Sequence, residues 1–487
     1  MLKPFVYLFL LNLLLHLPFV QLPPVGNHMW RQCNTIAVAK NFAFEDNSII
    51  YPRIDRRNET NGITGMPFPL YEWTLGVGIK LFGFSNLLVR LYSLLISTFA
   101  LFSIYLISLY ITKVKFWAWC SSLLLFSLPE FYYHSINALP DVLAMVFALY
   151  SLYYWLKIKE HLNSLNESKN KLIILFFYAL LTSTLAGLIK IQFLIIPFST
   201  VILFYKSKKN TFYVVLSLLL AFLINILWYY YAINLTKSNN LKEFGLWLKP
   251  ITIKEGIQSI IQNIVSDTPE LLIGWPLFLF LIYLIFKTFK KIQLNPYNKI
   301  GILWFIFFIV FYFFGIERMK NHAYYFMVLL PLIVMFSIHL FRLKAIKKQY
   351  IYFILFMNFT WTILRIVPNN WINIEKQLPK EFTEKKYLDE FKSYIKPGDR
   401  VFIGPDKSGC IYFYFTNTKG FSFANENELF ELDTDTIKLN KVFFKKANKL
   451  IIKDVKYEKK LLETFPYVKF DKNIGSFRVY NLLDNKQ

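Results

Sequence analysis

The stretch that decides the fold is "LLVRLYSLLISTFALFSIYLISLYI", residues 87–111. Its one charged side chain, Arg90, lies near the beginning, and everything after it is apolar, aromatic or a small hydroxyl residue. A helix needs about 20 such residues to cross the hydrocarbon core of a bilayer. The stretch is long enough to do so, and it predicts a membrane-spanning helix.

Similar apolar runs recur along most of the chain, which is 55% hydrophobic and 19% aromatic over 487 residues. A soluble domain has no use for so much apolar surface, so the chain is predicted to be an integral membrane protein. The first run is one of many, and we expect it to remain as an anchor rather than be cleaved as a signal peptide. We predict about eleven spans, near residues 4–22, 86–110, 116–131, 140–156, 172–189, 191–205, 211–233, 271–287, 300–315, 323–341 and 350–367.

The formal charge of +24 could suggest a nucleic-acid partner. The basic residues, however, cluster in alternate connections between spans, which is a topology signal and not a nucleic-acid footprint. These connections lie near residues 113–115, 157–171, 206–209, 287–299 and 342–348. With the N-terminus in the cytoplasm, all five lie inside. Because the Lys-, Asn-, Ile- and Phe-rich composition is typical of AT-rich bacteria, we predict a multi-pass protein of a bacterial inner (cytoplasmic) membrane.

The opposite side then receives the long loop 23–85, four shorter connections and the C-terminal region. From residue 369 to 487 the sequence is charged and has soluble periodicity. Residues 383–395 and 458–465 predict helices, whereas "RVFIG", "NKLIIK" and "SFRVYNL" predict strands. We therefore predict an α-helical polytopic membrane domain, residues 1–368, followed by an extracytoplasmic (periplasmic) α/β domain, residues 369–487.

Candidate carboxylates lie on the predicted outer side. The first outer loop opens with "GNHMWRQCNTIAVAKNF", residues 26–42, which has no carboxylate, and continues to Asp55 and Glu72. Asn34 stands where it would cap a helix lying on the membrane surface. Asp141 begins an apolar run, where it either favours the helix dipole or serves as a functional group at the membrane boundary.

Basic side chains on the same side are candidates for a phosphate site, because the positive-inside bias does not account for them. Lys190 has an alternative, since a lysine flanked by apolar residues can snorkel to water. No metal-binding spacing and no hydrolase triad is present, so the sequence requires no cofactor and leaves a divalent cation open. The candidates for phosphate or substrate binding are His28, Arg31, Gln32, Arg53, Lys190, Arg318, Lys320 and His322.

The membrane part resembles the polytopic GT-C glycosyltransferases, the superfamily of the dolichyl-phosphate-mannose protein mannosyltransferases and the bacterial lipid A aminoarabinose transferases. The resemblance rests on the order of several motifs along the chain. These are the polar first loop with "IAVAKNF", "YPRID", "FPLYEW" with "LFG", "ALPDVLAMVFAL", "LAGLIKIQFLIIP" and "HAYYFMVLLP".

This resemblance implies a GT-C fold and transfer of a sugar from a polyprenyl-phosphate donor to an acceptor on the periplasmic or outer face, usually with inversion. The acceptor would be lipopolysaccharide, another polysaccharide or a protein. In such enzymes a first-loop carboxylate is the general base and basic groups assist the departing phosphate. Here Asn34 and Pro67 occupy positions that are often acidic in the family. We therefore assign the base to Asp55, with Glu72 second.

In this assignment Asp141 positions the acceptor or has a second acidic role, and Arg31, Lys190, Arg318 and His322 face the carrier phosphate. Two other classes of protein stay open at this point. One is a flippase or transporter of lipid-linked saccharides, although inverted repeats and midplane charges are not evident in the sequence. The other is a non-catalytic relative, or a binding protein that acts through its α/β domain.

Overall fold

The computed structural model describes residues 2–163, 168–239, 252–288, 296–319, 322–396, 398–429 and 446–482. The chain divides into two compact units. The first, here the helical unit, comprises Met1–Leu22, Asn86–Tyr231 and Leu246–Asn369. The second, the mixed unit, comprises Pro23–Ser85, Ala232–Gly245 and Asn370–Gln487. The first outer loop and the C-terminal region thus belong to one unit.

Helices dominate the described residues, because within a bilayer each backbone amide and carbonyl needs a partner from its own segment. The α-helices are α1 Leu2–His16, α2 Met29–Phe44, α3 Leu70–Phe82, α4 Asn86–Thr112, α5 Lys115–Phe126, α6 Pro129–His134, α7 Asp141–Asn163, α8 Lys169–Ile189, α9 Ile195–Ser199, α10 Lys208–Ser238, α11 Ile253–Gln262, α12 Trp275–Thr288, α13 Pro296–Met319, α14 Leu330–Leu343, α15 Lys348–Val367, α16 Lys385–Tyr394, α17 Ile411–Thr416 and α18 Glu458–Thr464. A π-helical segment, Asn263–Ile273, joins α11 to α12, and a 3-10 helix, Ala323–Leu329, precedes α14.

Eight helices in the described part of the chain are long and apolar enough to cross a membrane. A ninth span results if the pair Ile253–Ile273 and Trp275–Thr288, bent by 111°, is counted as one. The predicted count of eleven is not confirmed. Its surplus members lie on α5, which has 12 residues, and on the broken helix Ile191–Leu203, both shorter than a straight span requires.

The stretch quoted at the outset forms most of α4, and its single charge has a structural role. The Arg90 side chain is buried, and its Nε donates to the Leu22 carbonyl at 3.2 Å. One terminal nitrogen donates to the Ile136 carbonyl at 3.2 Å and to the Asn137 side-chain oxygen. A buried guanidinium is stable only when its donors are satisfied. Arg90 thereby fixes the connection between α6 and α7 against α4.

The mixed unit contains the predicted α/β domain, a five-stranded sheet in the order β2-β1-β3-β5-β4. Its strands are β1 Arg400–Gly404, β2 Lys419–Ser422, β3 Lys449–Lys453, β4 Val468–Ile474 and β5 Phe477–Leu482. Strand β1 is parallel to β2 and β3, whereas β5 is antiparallel to β3 and β4. The predicted strands "RVFIG", "NKLIIK" and "SFRVYNL" are confirmed as β1, β3 and β5.

The first outer loop forms helices α2 and α3, which corrects two predictions. Helix α2 begins at Met29 and the N-cap position belongs to His28, in the left-handed conformation with φ 55°, so Asn34 lies inside the helix and does not cap it. Ile36, Val38 and Phe42 are buried, because α2 packs within the mixed unit. The predicted membrane-surface helix is therefore a core helix.

A close backbone approach joins the first loop to the last turns of α10. The Gly65 amide donates to the Thr236 hydroxyl at 2.9 Å. A Cβ atom at Gly65 would lie 1.7 Å from the Ala232 carbonyl oxygen, so this position has no space for a side chain.

We predict that Gly65→Ala lowers the stability of the protein by about 1–3 kcal/mol, because one of the two backbones must move. Thermal unfolding in detergent measures the loss. The matched control is Gly78→Ala in α3, where no atom lies within 4 Å of the new Cβ. Since alanine favours a helix over glycine by about 1 kcal/mol, the control should be neutral or stabilising. Equal melting temperatures for Gly65→Ala and wild type would contradict the close approach.

Candidate functional site

Asp55 lies in a hydrogen-bonded network that a single asparagine organises. Asp55 is buried, with 8% of its surface exposed. Its carboxylate accepts a hydrogen bond from the Asn41 side-chain amide at 3.0 Å. The same amide donates to the Arg53 carbonyl at 2.9 Å, and the Asn41 oxygen accepts from the Lys419 ammonium at 2.7 Å. One side chain of α2 thus holds the loop carboxylate and a β2 cation together.

The backbone around Asp55 continues the sheet. The Gly420 amide donates to the Asp55 carbonyl at 3.0 Å, and the Arg57 amide donates to the Gly420 carbonyl at 2.9 Å. Arg56 and Gly420 form a parallel bridge, so the first loop covers the open edge of β2. A Cβ atom at Gly420 would lie 2.2 Å from the Val401 carbonyl oxygen, and its φ of 148° favours glycine. The position of Asp55 is therefore set by backbone pairing.

Asp55 lines a cavity of about 410 Å³ inside the mixed unit. The wall holds five cationic and three anionic side chains, an excess of two positive charges before any ligand is bound. The lining residues are Lys40, Asn41, Phe44, Glu45, Asp55, Arg57, Ile395, Lys396, Gly398, Asp399, Arg400, Asn417, Thr418 and Lys419. Of the residues singled out from the sequence for a site, Asp55 is the one on the described wall.

The pKa values of two cavity residues, Lys40 and Glu45, are both lowered, for different reasons. Burial lowers the pKa of Lys40, and the nearby Asp55 carboxylate partly opposes this. Burial alone would raise the pKa of Glu45, but hydrogen bonds from Lys419 and Arg57 outweigh it and the net pKa is lowered. Arg57 contacts both Glu45 oxygens at 2.7 Å. Glu45 thus neutralises part of the cationic wall and leaves Asp55 beside Asn41 and Lys40.

The other first-loop candidates are placed away from this cavity. Arg53 forms an ion pair with Asp46 at 2.7 Å, and Gln32 is buried with its amide donating to the Val25 carbonyl at 3.0 Å. Both contacts are within the loop. Glu72 is buried in the first turn of α3. His28 and Arg31 lie at the start of α2.

In the helical unit the structure brings Asp141 and Lys190 together. Asp141 is the first residue of α7, and Lys190 follows the last residue of α8 in an extended conformation. The Lys190 ammonium lies 3.5 Å from an Asp141 carboxylate oxygen, with side-chain exposures of 6% and 0%. Lys190 therefore does not snorkel to water, and its charge is compensated inside the protein.

Aromatic rings cover this ion pair. The Lys190 ammonium lies 5.4 Å from the centre of the Tyr324 ring and 5.9 Å from that of Tyr325, within the range of cation–π attraction. The His322 ring is 5.3 Å from Tyr324. The His322 ring is also 6.2 Å from that of Tyr325, so Lys190 and His322, two candidates far apart in sequence, share both tyrosines as neighbours. The candidate Lys320 lies outside the described residues, as does the side chain of Arg318.

Another ionisable pair, not singled out from the sequence, lies on the short helix α6. The Glu130 carboxylate is 2.7 Å from His134 Nε2, and both side chains are buried. The i,i+4 spacing within "PEFYYH" was the available signal. Among the described residues no group of three or more His, Cys, Asp or Glu side chains is arranged to hold a metal ion.

These observations define a class of protein: a polytopic helical membrane protein with an α/β domain and an ionisable cluster in each unit. The chain is similar over its whole length to ArnT from Cupriavidus metallidurans bound to undecaprenyl phosphate, with a TM-score of 0.65 and 10% identity, covering 99% of this chain and 98% of that one. The oligosaccharyltransferase of Archaeoglobus fulgidus in the apo form gives a TM-score of 0.56 and 12% identity, covering 100% and 74%.

The same archaeal enzyme, AglB, in complex with an inhibitory peptide and a dolichol-phosphate, gives a TM-score of 0.50 and 13% identity, with 100% and 74% coverage. No protein-family model matches the sequence, and no curated protein matches it either. At these identities the similarity is one of fold. The GT-C fold predicted from the sequence motifs is confirmed.

We predict that Lys190→Met alone lowers stability by about 3–5 kcal/mol, because it leaves the Asp141 charge buried without its cation. The double variant Asp141→Asn/Lys190→Met removes both charges and should recover most of that loss. Fluorescence-detected size-exclusion chromatography after heating compares wild type, both single variants and the double variant. Strictly additive losses in the double variant would mean that the two charges do not interact.

Proposed function

We propose that the protein is a glycosyltransferase that moves a sugar from a polyprenyl-phosphate donor to an acceptor on the extracytoplasmic face of a bacterial inner membrane. The observation that carries the proposal is the match along both full chains to ArnT, whose structure has been solved with undecaprenyl phosphate. The similarity to AglB, solved with a dolichol-phosphate, points to the same class of donor. A lipid phosphate already activates the sugar, so no nucleotide-binding fold is needed.

In this proposal Lys190 contacts the carrier phosphate. Its ammonium is enclosed, and Asp141 and the two tyrosine rings fix its position. A cation in a site of low dielectric stabilises a phosphate dianion more strongly than the same cation does in water. We assign Asp141 to positioning Lys190, and we assign His322, beside the same tyrosines, to the phosphate as well. Arg31 and His28 remain predictions for this role.

We assign the general base to Asp55 and not to Asp141. A base must reach the acceptor hydroxyl, and Asp55 lies on a cavity wall, whereas Asp141 is fully enclosed and ion-paired. The acceptor oxygen bonds to the anomeric carbon while the bond from that carbon to the phosphate oxygen breaks. The phosphate leaves with the bonding electrons, Asp55 takes the hydroxyl proton, and a single displacement of this kind inverts the anomeric centre.

The location of the ion pair favours a transferase over a transporter of lipid-linked saccharides. Transporters place their charged groups near the middle of the bilayer, often at broken helices. Asp141 and Lys190 instead stand at the first residue of α7 and just beyond the end of α8. Both therefore lie at the ends of their helices and not in the middle of a span.

The test compares the glycans of a deletion strain with those of strains complemented with variants. Mass spectrometry of lipid A, polysaccharide and protein glycans from the deletion strain should show the loss of one sugar increment. Wild type should restore the increment, and Asp55→Asn should lower it by about 100-fold or more, the usual contribution of general base catalysis. The matched control is Glu59→Gln on the same loop, an exposed partner of Lys446, which should restore it fully.

Full restoration by a well-expressed Asp55→Asn protein would exclude Asp55 as the base without excluding the transferase. Unchanged glycans in the deletion strain, together with movement of carrier-linked sugar across liposomes containing the pure protein, would replace the transferase by the transporter.

A further inference from the structure

Helix α11 exposes an apolar stripe. Its sequence is "IKEGIQSIIQ", residues 253–262, and the isoleucines at 253, 257, 261 and 264 lie four, four and three positions apart. This spacing places them on one side of a helix. They are 84%, 53%, 56% and 62% exposed in that order, so the described part of the chain leaves this stripe uncovered.

The remaining sides of α11 differ in chemistry. Lys254 and Gln258 are also exposed and form a polar stripe beside the isoleucines. Ser259 and Asn263 are buried, and the Asn263 amide donates to the Tyr312 hydroxyl at 2.8 Å. The helix therefore rests on α13 by its small and polar residues and turns its largest apolar side chains outward.

A capping box stabilises the N-terminus of α11. The Thr252 hydroxyl accepts from the Glu255 amide at 3.2 Å, and the Glu255 carboxylate accepts from the Thr252 amide at 3.0 Å. This reciprocal capping box satisfies amides at the N-terminus that a helix otherwise leaves open. The exposed stripe is thus a property of a defined helix.

The direction of α11 differs from that of the spans. The segment Ile253–Ile273 is bent by 111° from α12, which continues as an apolar helix. The Glu270 carbonyl accepts from the Trp361 indole at 3.1 Å, and its carboxylate pairs with Arg365, in the last two turns of α15. A helix that lies across the spans at their ends is in the position of the membrane–water interface.

We propose that α11 is an interfacial helix whose isoleucine stripe is inserted into the lipid surface of the bilayer. Beside Tyr312, its anchor on α13, Phe313 and Phe314 are 62% and 76% exposed, so α11 is attached to the candidate span Pro296–Ile316 next to exposed apolar side chains. The polar stripe with Lys254 and Gln258 faces water and the lipid headgroups, as in other amphipathic helices at a bilayer surface. This inference does not depend on the proposed function.

The test uses the full-length protein in liposomes of phosphatidylethanolamine and phosphatidylglycerol. Ile257→Cys and Ile261→Cys are labelled with an environment-sensitive fluorophore, and Gln258→Cys, on the polar stripe of the same helix, is the matched control. The three native cysteines are buried, and wild type treated with the same fluorophore verifies that they do not react. Nitroxide-labelled lipid and aqueous iodide are then used as separate quenchers.

At the two isoleucine positions we expect at least about two-fold stronger quenching by nitroxide lipid than at Gln258→Cys, and weaker quenching by iodide. Strong iodide quenching at 257 and 261 would show that the stripe faces water. Resistance to both quenchers would show that a protein surface, such as a second copy, covers it. Lipid quenching of equal strength at position 258 would mean that the helix is immersed without this orientation. Each of these three results would overturn the proposal.

Discussion

The enclosed ion pair between Asp141 and Lys190 is the interaction on which the account of this protein depends. Burying a charge away from water costs several kcal/mol for each ion. The attraction between the two ions offsets this desolvation cost only when their geometry is good. At 3.5 Å from the Asp141 carboxylate, the Lys190 ammonium is held but retains two tyrosine rings as its other neighbours. An anion that approached Lys190 would meet a cation already desolvated and oriented, which is the condition for strong electrostatic stabilisation.

A second constraint fixes the carboxylate of the mixed unit. The side-chain NH2 group of Asn41 donates to the Asp55 carboxylate and to the Arg53 carbonyl, both in the first loop. Its side-chain oxygen accepts from Lys419 on β2. Because the loop backbone also pairs with Gly420, Asp55 cannot move independently of the sheet. The C-terminal α/β domain therefore positions a residue of the first loop.

Much of the fold follows from local pattern. Residues 87–111 form an apolar run longer than a membrane span requires, so α4 was predictable. Lys449–Lys453 has a buried apolar centre between two lysines, so β3 was predictable as well. Strand β2 was missed because "KGFS" is short and contains a glycine that only its pairing explains. The Asn34 cap was wrong because the N-cap position lies six residues earlier, at His28 in a left-handed conformation.

The site was less predictable, since it depends on tertiary contacts. The sequence identified Asp141 and Lys190 separately, but nothing in their spacing shows that they pair. Arg53 satisfied the same criteria as a phosphate ligand, yet a nearby Asp46 binds it. Glu130 and His134 were overlooked because their i,i+4 spacing in a short apolar segment is a weak signal until their burial and their 2.7 Å contact are known.

The central claim is that the enclosed Lys190 recognises the phosphate of a polyprenyl carrier. Native mass spectrometry of the purified protein with undecaprenyl phosphate, and with undecaprenol as the uncharged control, tests it directly. The account predicts that wild type retains one undecaprenyl phosphate and no undecaprenol, and that the folded double variant Asp141→Asn/Lys190→Met loses this preference. Equal retention of the phosphate by wild type and the double variant, or retention of both lipids alike by wild type, would contradict it.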